Sequence, residues 1–290
     1  MKLDEVLVAV DFSPASQRAA AWTARHLAPG ARFTLAHCLE VAPAGSVAWE
    51  VLPPREEVVE RLRRAAAERF AALRRELPPA EVRSEVVEGV PAEAIAALAS
   101  EQGCDLVVVG DHRSHGEAWR PLGSTAERLV VLSHRPVLVA RGLPAAAPRV
   151  VLAAVDESEQ GRKALAWAAS LGRRHGARVI AFHAVSDWYR RQLLALGEEA
   201  EAEAVQADVV ARARRWLDEV VANQAEDGAA IEPHLASGRP GPACLEAIDR
   251  HDAELVVAGC HGLESFTGDQ LARLSRFLLL AAPRPLLLVT

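Results

Sequence analysis

Asp11 closes a short aliphatic run, Val6–Val10, and Ser13-Pro14 follows it directly. A carboxylate there can receive hydrogen bonds from a ligand or simply serve the turn it sits in, and the residue types leave both roles open. Ser13 as cap and Pro14 at the first helical position then start a helix. A second concentration of reactive residue types lies in Gly110 to Val130, GDHRSHGEAWRPLGSTAERLV. Its glycines permit close approach of the backbone to a ligand. Gly123-Ser124-Thr125 stands at the start of a helical stretch. The free N–H groups and positive dipole end of a helix start suit phosphate. Ser124 followed by Glu127 is also a capping box, which needs no ligand.

Other groupings carry less. His112 and His115 near Asp111 or Asp11, and the dipeptide Cys260-His261, are metal-ligand types. A tetrahedral site needs four groups in a defined geometry, and no such spacing occurs, so no metal is expected. No paired-carboxylate motif, nucleophile elbow or Walker A lysine is present, so no catalytic residue is assigned. Trp22, Trp167 and Trp216 fall at helical core spacing and are expected to pack inside.

The elements that must hold these residues repeat along the chain. Gly89 to His112 matches Gly238 to His261 at an offset of 149, whereas Asp11 and Trp22 match Asp156 and Trp167 at 145. The difference places four extra residues in loops of the second half. In the first half the strand candidates are Val6–Val10, Arg32–His37, Val82–Val87, Leu106–Val109 and Val137–Val139. Val59, Leu62, Ala66, Phe70 and Leu73 mark one face of a helix, as do Val205, Val209, Ala213, Trp216 and Val220 in the second half. Strands alternating with helices imply parallel βαβ units with right-handed crossovers. Near-continuous apolar strands agree, because a parallel sheet is covered on both faces. Arg141 to Pro148, rich in Ala and Pro, is the natural boundary. The expected domains are 1–143 and 149–290, each a doubly wound α/β layer with a five-stranded parallel sheet. Ligands then bind beyond the carboxyl ends of the strands, where Asp11 and Gly110 lie.

The whole pattern resembles the universal stress protein family. Gly110, position 113, Gly123 and Ser124 fall at the separations of that family's nucleotide signature, G-x2-G-x9-G-(S/T). Further shared features are the aspartate ending strand one, the histidine ending strand two, the G-x-P before helix three and the proline before strand five. The resemblance covers nearly all of both halves. It implies the adenine nucleotide α-hydrolase-like fold and ATP as ligand. It also implies that Asp11 and the backbone of Cys38 meet the nucleoside end, and that the stretch with Gly110, Arg113, Gly123, Ser124 and Thr125 meets ribose and phosphates. Family relatives dimerise through their last strands, so the halves are expected to pack as an internal pseudo-dimer through Val137–Val139 and Leu286–Val289. Departures occur in both halves. Arg113 replaces a glycine, which costs close approach yet offers a guanidinium fork to phosphate. The second half keeps Gly259 and Gly262, but Ala272 and Arg273 stand where Gly-Ser is needed.

The leading expectation is a stress-response regulator that binds an adenine nucleotide chiefly in its first half, without efficient catalysis, and alters its contacts with a protein partner. Slow ATP hydrolysis stays open, as does a homodimer. The alternative is a ligand-free structural or partner-binding stress protein. An adenylating enzyme of the wider group is disfavoured, because Asp11-Phe-Ser-Pro lacks the Ser/Gly-rich loop after strand one. The net charge of −6 and pI near 6.0 argue against broad binding to nucleic acid or anionic membrane. Cys38, Cys104, Cys244 and Cys260 form no C-x-x-C pair and suit reduced thiols in the cytoplasm. No signal peptide is expected ahead of Val6–Val10, and no aliphatic stretch is long enough to span a bilayer.

Overall fold

A computed structural model of the chain describes residues 3–78, 81–111, 124–225, 228–260 and 270–290, with backbone alone at 124, 225 and 270–273. The chain divides into two compact units, Lys2–Ala146 and Ala147–Thr290. Trp22 Nε1 donates to Ala146 O at 3.3 Å, which ties the end of the connecting segment to the first unit.

In the first unit the order is β1 (Glu5–Ala9), α1 (Pro14–Trp22), β2 (Arg32–Leu39), α2 (Arg55–Glu76), β3 (Val82–Glu88), α3 (Pro91–Glu101), β4 (Leu106–Gly110), α4 (Ser124–Leu132) and β5 (Val137–Ala140). The strands lie β3-β2-β1-β4-β5, all parallel, with Val8 opposite Leu35 on one side and Val108 on the other. β4 and β5 are buried along their whole lengths, as the unbroken apolar runs of both strands require. The outermost strand β3 carries Arg83, Glu85 and Glu88, a polar edge that discourages pairing with other chains.

The second unit repeats this with β6 (Val150–Ala154), α5 (Glu159–His175), β7 (Arg178–Val185), α6 (Trp188–Ala195), α7 (Glu199–Ala225), β8 (Ile231–Ser237), α8 (Pro240–Arg250), β9 (Leu255–Gly259), α9 (Gln270–Ala281) and β10 (Leu286–Val289). Its strands lie β8-β7-β6-β9-β10, again all parallel. The strand offsets are 145 for β1 to β6, 146 for β2 to β7, and 149 from β3 onward. One of the four extra residues therefore precedes β7. The other three fall between β7 and β8, where α6 occurs and α7 runs 27 residues against 22 in α2.

Two helix faces differ from the expectation. Val59, Ala66, Phe70 and Leu73 of α2 are buried, but Leu62 is 40% exposed. In α7 the buried residues are Ala202, Leu217 and Val221, and Val209 is 42% exposed. Leu62 lies between buried residues, at the margin of the covered face, and Leu217 and Val221 fall one position past the expected Trp216 and Val220, so α7 is turned about its axis relative to the expected face. Trp22 is buried, whereas Trp167 and Trp216 are half-buried.

Candidate functional site

The strand ends of the first unit enclose a cavity of about 390 Å³. Asp11, His37, Cys38 and Gly110 line it from the ends of β1, β2 and β4; Ile95 does so from α3 and Thr125 from α4. Four of the seven residues assigned from sequence, Asp11, Cys38, Gly110 and Thr125, thus share one wall system. Ser124 opens the described part of α4 next to Thr125. Arg113 and Gly123 lie outside the described residues. His37, Ser16 and Glu40 also line the cavity. His37 was recognisable from its duplicate His183 at the end of the matching strand, whereas Ser16 and Glu40 carried no signal.

Local backbone chemistry fixes the floor. Phe12 adopts φ 61, a left-handed conformation costly for an aromatic residue. Surroundings hold it there: its ring lies 4.7 Å from His37 and 5.0 Å from Phe70, with the Arg69 guanidinium 4.8 Å above. This sharp turn lets Asp11 Oδ1 accept from Ser13 N at 2.9 Å and from Ser16 Oγ at 2.7 Å. Asp11 therefore serves the turn and lines the cavity at once. His37 Nδ1 lies 2.7 Å from Val10 O; a carbonyl only accepts, so Nδ1 carries the proton.

Cys38 donates its thiol to Gly89 O at 3.4 Å. Burial, then Glu40 and Glu88, push its pKa up to about 11. Burial raises Cys104 likewise to about 11, Cys244 to about 12, and Cys260 upward. These thiols stay protonated at neutral pH and are poor nucleophiles and poor metal ligands. Among the described residues no group of three or more His, Cys, Asp or Glu side chains is placed to hold a metal ion.

Gly110 has a structural reason beyond ligand approach. A Cβ there would lie 2.7 Å from Ser16 N and 2.8 Å from Ala15 C, backbone atoms of α1 that cannot yield cheaply. Gly259 stands under the same constraint against Gln160 of α5. Both glycines let the first helix of their unit cross the fourth strand closely. Gly110→Ala is accordingly expected to destabilise the first unit by about 1–3 kcal/mol, the usual cost of overpacking. Hydrogen exchange of the β4 amides checks this, and unchanged protection would remove the packing explanation.

The matching cavity of the second unit measures about 90 Å³ and is lined by Asp156, Phe182, His183, Pro240 and Leu274, among others. Phe182 stands where the first unit has Ala36, and Leu274 where it has Thr125. Two larger apolar side chains thus border this space, and a hydroxyl is gone. Asp156 also sits differently. A Cβ on Gly161 would meet Asp156 N at 2.6 Å and Asp156 O at 2.7 Å, whereas the first unit carries Ser16 at that position. His183 keeps its anchor, Nδ1 lying 2.8 Å from Val155 O.

The described part of the first cavity carries two carboxylates, Asp11 and Glu40, and no lysine or arginine. It therefore favours hydrogen-bond donors at its inner end. Among the described residues no helix is long and apolar enough to cross a membrane.

Comparison with known proteins agrees with this architecture. The family model described as the universal stress protein family matches twice, over residues 2–141 and 148–290. A universal stress protein of Mycolicibacterium smegmatis is 28% identical, covering 98% of this chain and 96% of its own length. Another, from Mycobacterium tuberculosis strain H37Rv, is 27% identical over 97% of this chain and 95% of its own. A crystal structure of a universal stress protein from Archaeoglobus fulgidus superimposes with a TM-score of 0.69 at 17% identity, over 100% of this chain and 99% of that one, a likeness of fold. With two successive family matches across nearly its whole length, the chain belongs to the universal stress protein family as a member with two tandem domains.

Proposed function

We propose that the first unit binds one adenine nucleotide, ATP, without efficient catalysis, and that occupancy alters contacts with a protein partner in a cytoplasmic stress response. The observation that carries this reading is the cavity of about 390 Å³ at the strand ends, against about 90 Å³ in the second unit. Ligands of open parallel sheets bind at such strand ends. Asp11 and Glu40 suit the hydroxyls and amino group of a nucleoside. Their charge directs the phosphates away from them, toward the start of α4, where Ser124 and Thr125 supply backbone N–H groups and hydroxyls. In this reading Gly123 permits close approach and Arg113 adds a guanidinium to the phosphates.

Catalysis is expected to be slow. His37, the one imidazole among the described residues lining the cavity, commits a ring nitrogen to Val10 O. That bond leaves Nε2 as the ring's acceptor, but no nucleophile, nucleophile elbow or Walker A lysine is assigned for it to serve.

Native mass spectrometry of the full chain with magnesium and ATP tests the proposal. The expected spectrum shows one bound nucleotide per chain. None bound supports the ligand-free alternative, and two bound refutes the asymmetry. Turnover at or above about 1 s⁻¹, ordinary for enzymes, that is lost in a point variant of the site would overturn the non-catalytic part.

A further inference from the structure

We propose that His234 and His251 form a proton-operated latch that holds strand β8 of the second unit to the end of α8 near neutral pH and releases it in acid. His251 Nε2 and His234 Nδ1 lie 2.8 Å apart, with the ring planes at 87°. Such a bond needs one N–H and one lone pair. The neutral pair supplies both, and so does the pair holding one extra proton. The doubly protonated pair has N–H on both facing nitrogens and no acceptor. Two cations then face each other at hydrogen-bond distance, and the contact must open.

The pair joins three elements. His234 is on β8 and its ring stacks on Phe182 of β7, centroids 5.8 Å apart at 24°. Phe182 is buried, so His234 cannot turn freely into solvent on that side. His251 directly follows α8, and its carbonyl accepts from Arg178 Nη2 of β7 at 3.4 Å. Arg178 also pairs with Glu232 of β8 at 3.1 Å. The first unit builds the corresponding place differently. Gln102 stands at the position of His251 and accepts from Thr34 Oγ1 at 2.9 Å, while Glu85 stands at that of His234. Neither the amide nor the hydroxyl of that first-unit bond titrates near neutrality, so the latch is a property of the second unit.

The charged groups facing the pair oppose added protons. They are Arg178 from β7, Arg214 from α7, Arg250 from α8, and one carboxylate, Glu232 from β8, which Arg178 already holds. Burial first, then His251, Arg250 and Arg214, hold the His234 pKa below the ordinary 6.5. Burial and Arg178 do the same for His251, with Glu232 pulling the other way and Arg250 adding to the lowering. The sign follows from linkage: the opened form binds more protons than the closed form. The latch is therefore at full strength above the ordinary histidine value and weakens as pH falls through the lowered values.

Hydrogen exchange on the full chain at about pH 7.5 and about pH 5, expressed as protection relative to intrinsic exchange, tests this. Protection of the β8 amides in the parent is expected to fall about tenfold or more at the lower pH, as the opened form becomes populated. The β3 amides of the same molecules are expected to stay within about twofold. His251→Gln, the residue of the first unit, is expected to make β8 protection insensitive to pH. Should that variant lose β8 protection already at neutral pH, the double variant His234→Gln, His251→Gln takes its place, because two amides bond each other without titrating. The latch is refuted if parent β8 keeps its protection in acid. It is equally refuted if β3 loses as much, or if the variant that retains β8 protection at neutral pH shows the parent's pH dependence.

Discussion

Ser124→Asp is expected to weaken ATP binding by about a hundredfold or more in titration calorimetry, while Arg273→Asp leaves it unchanged. A carboxylate at the start of α4 would face the phosphates, and a like-charge juxtaposition costs several kcal/mol. A hundredfold loss corresponds to about 2.7 kcal/mol. Arg273 occupies the equivalent position in the second unit, whose cavity is too small for a nucleotide in this reading. Thr125→Leu separates charge from space. It introduces the residue that lines the second cavity, Leu274, without adding charge. It is expected to cost about tenfold or more, by removing a hydroxyl and filling the cavity wall. The reverse change, Leu274→Thr, should create no second site. Parent-like binding in both Ser124→Asp and Thr125→Leu would show that the site is elsewhere. Failure of Arg273→Asp alone would move it to the second unit.

Asp111→Ala is expected to destabilise the first unit by about 3–5 kcal/mol. Asp111 Oδ2 lies 3.2 Å from Arg141 Nε, with the carboxylate side chain 0% and the guanidinium side chain 5% exposed. The pair ends β4 and β5, and Asp111 N donates to Ala140 O at 3.1 Å. Removing the carboxylate takes the Asp111 counter-charge from a buried guanidinium, which costs far more than an intact pair contributes. The second unit places Cys260 and Thr290 at these two positions. The double variant Asp111→Cys, Arg141→Thr removes both charges together and is expected to recover most of the loss. Protection of the β4 and β5 amides reads both results, a single-variant drop of about a hundredfold or more being the expectation. A loss below about 1 kcal/mol in Asp111→Ala would mean that water or other groups satisfy Arg141 once the carboxylate is gone. Because the pair adjoins the cavity at Gly110, nucleotide binding in the double variant also tests whether the charge pair serves the site or only the sheet.

Much of this molecule follows from its order of residues. The strands lie within two residues of the runs Val6–Val10, Arg32–His37, Val82–Val87, Leu106–Val109 and Val137–Val139. Local patterning suffices there, since a parallel strand covered on both faces must be an unbroken apolar run. The repeat at offsets of 145 and 149 is visible in the letters alone; the strand-end rule singled out Asp11 and Gly110, the family resemblance added Cys38 and Thr125, and all four line one cavity. Tertiary structure decided the rest. Leu62 and Val209 have the right spacing for a buried face and are exposed although buried residues lie on both sides of each, because periodicity shows that a helix has an apolar face but not how the helix is rotated against the covering sheet. Gly110 looks like a ligand-approach residue, yet its Cβ space is taken by the backbone of α1. The Asp111–Arg141 pair and the His234–His251 contact join residues 30 and 17 positions apart, and the unequal cavities compare volumes across whole units. Spacing along a chain carries no measure of volume left unfilled or of the distance between two side chains; only close packing in three dimensions sets those.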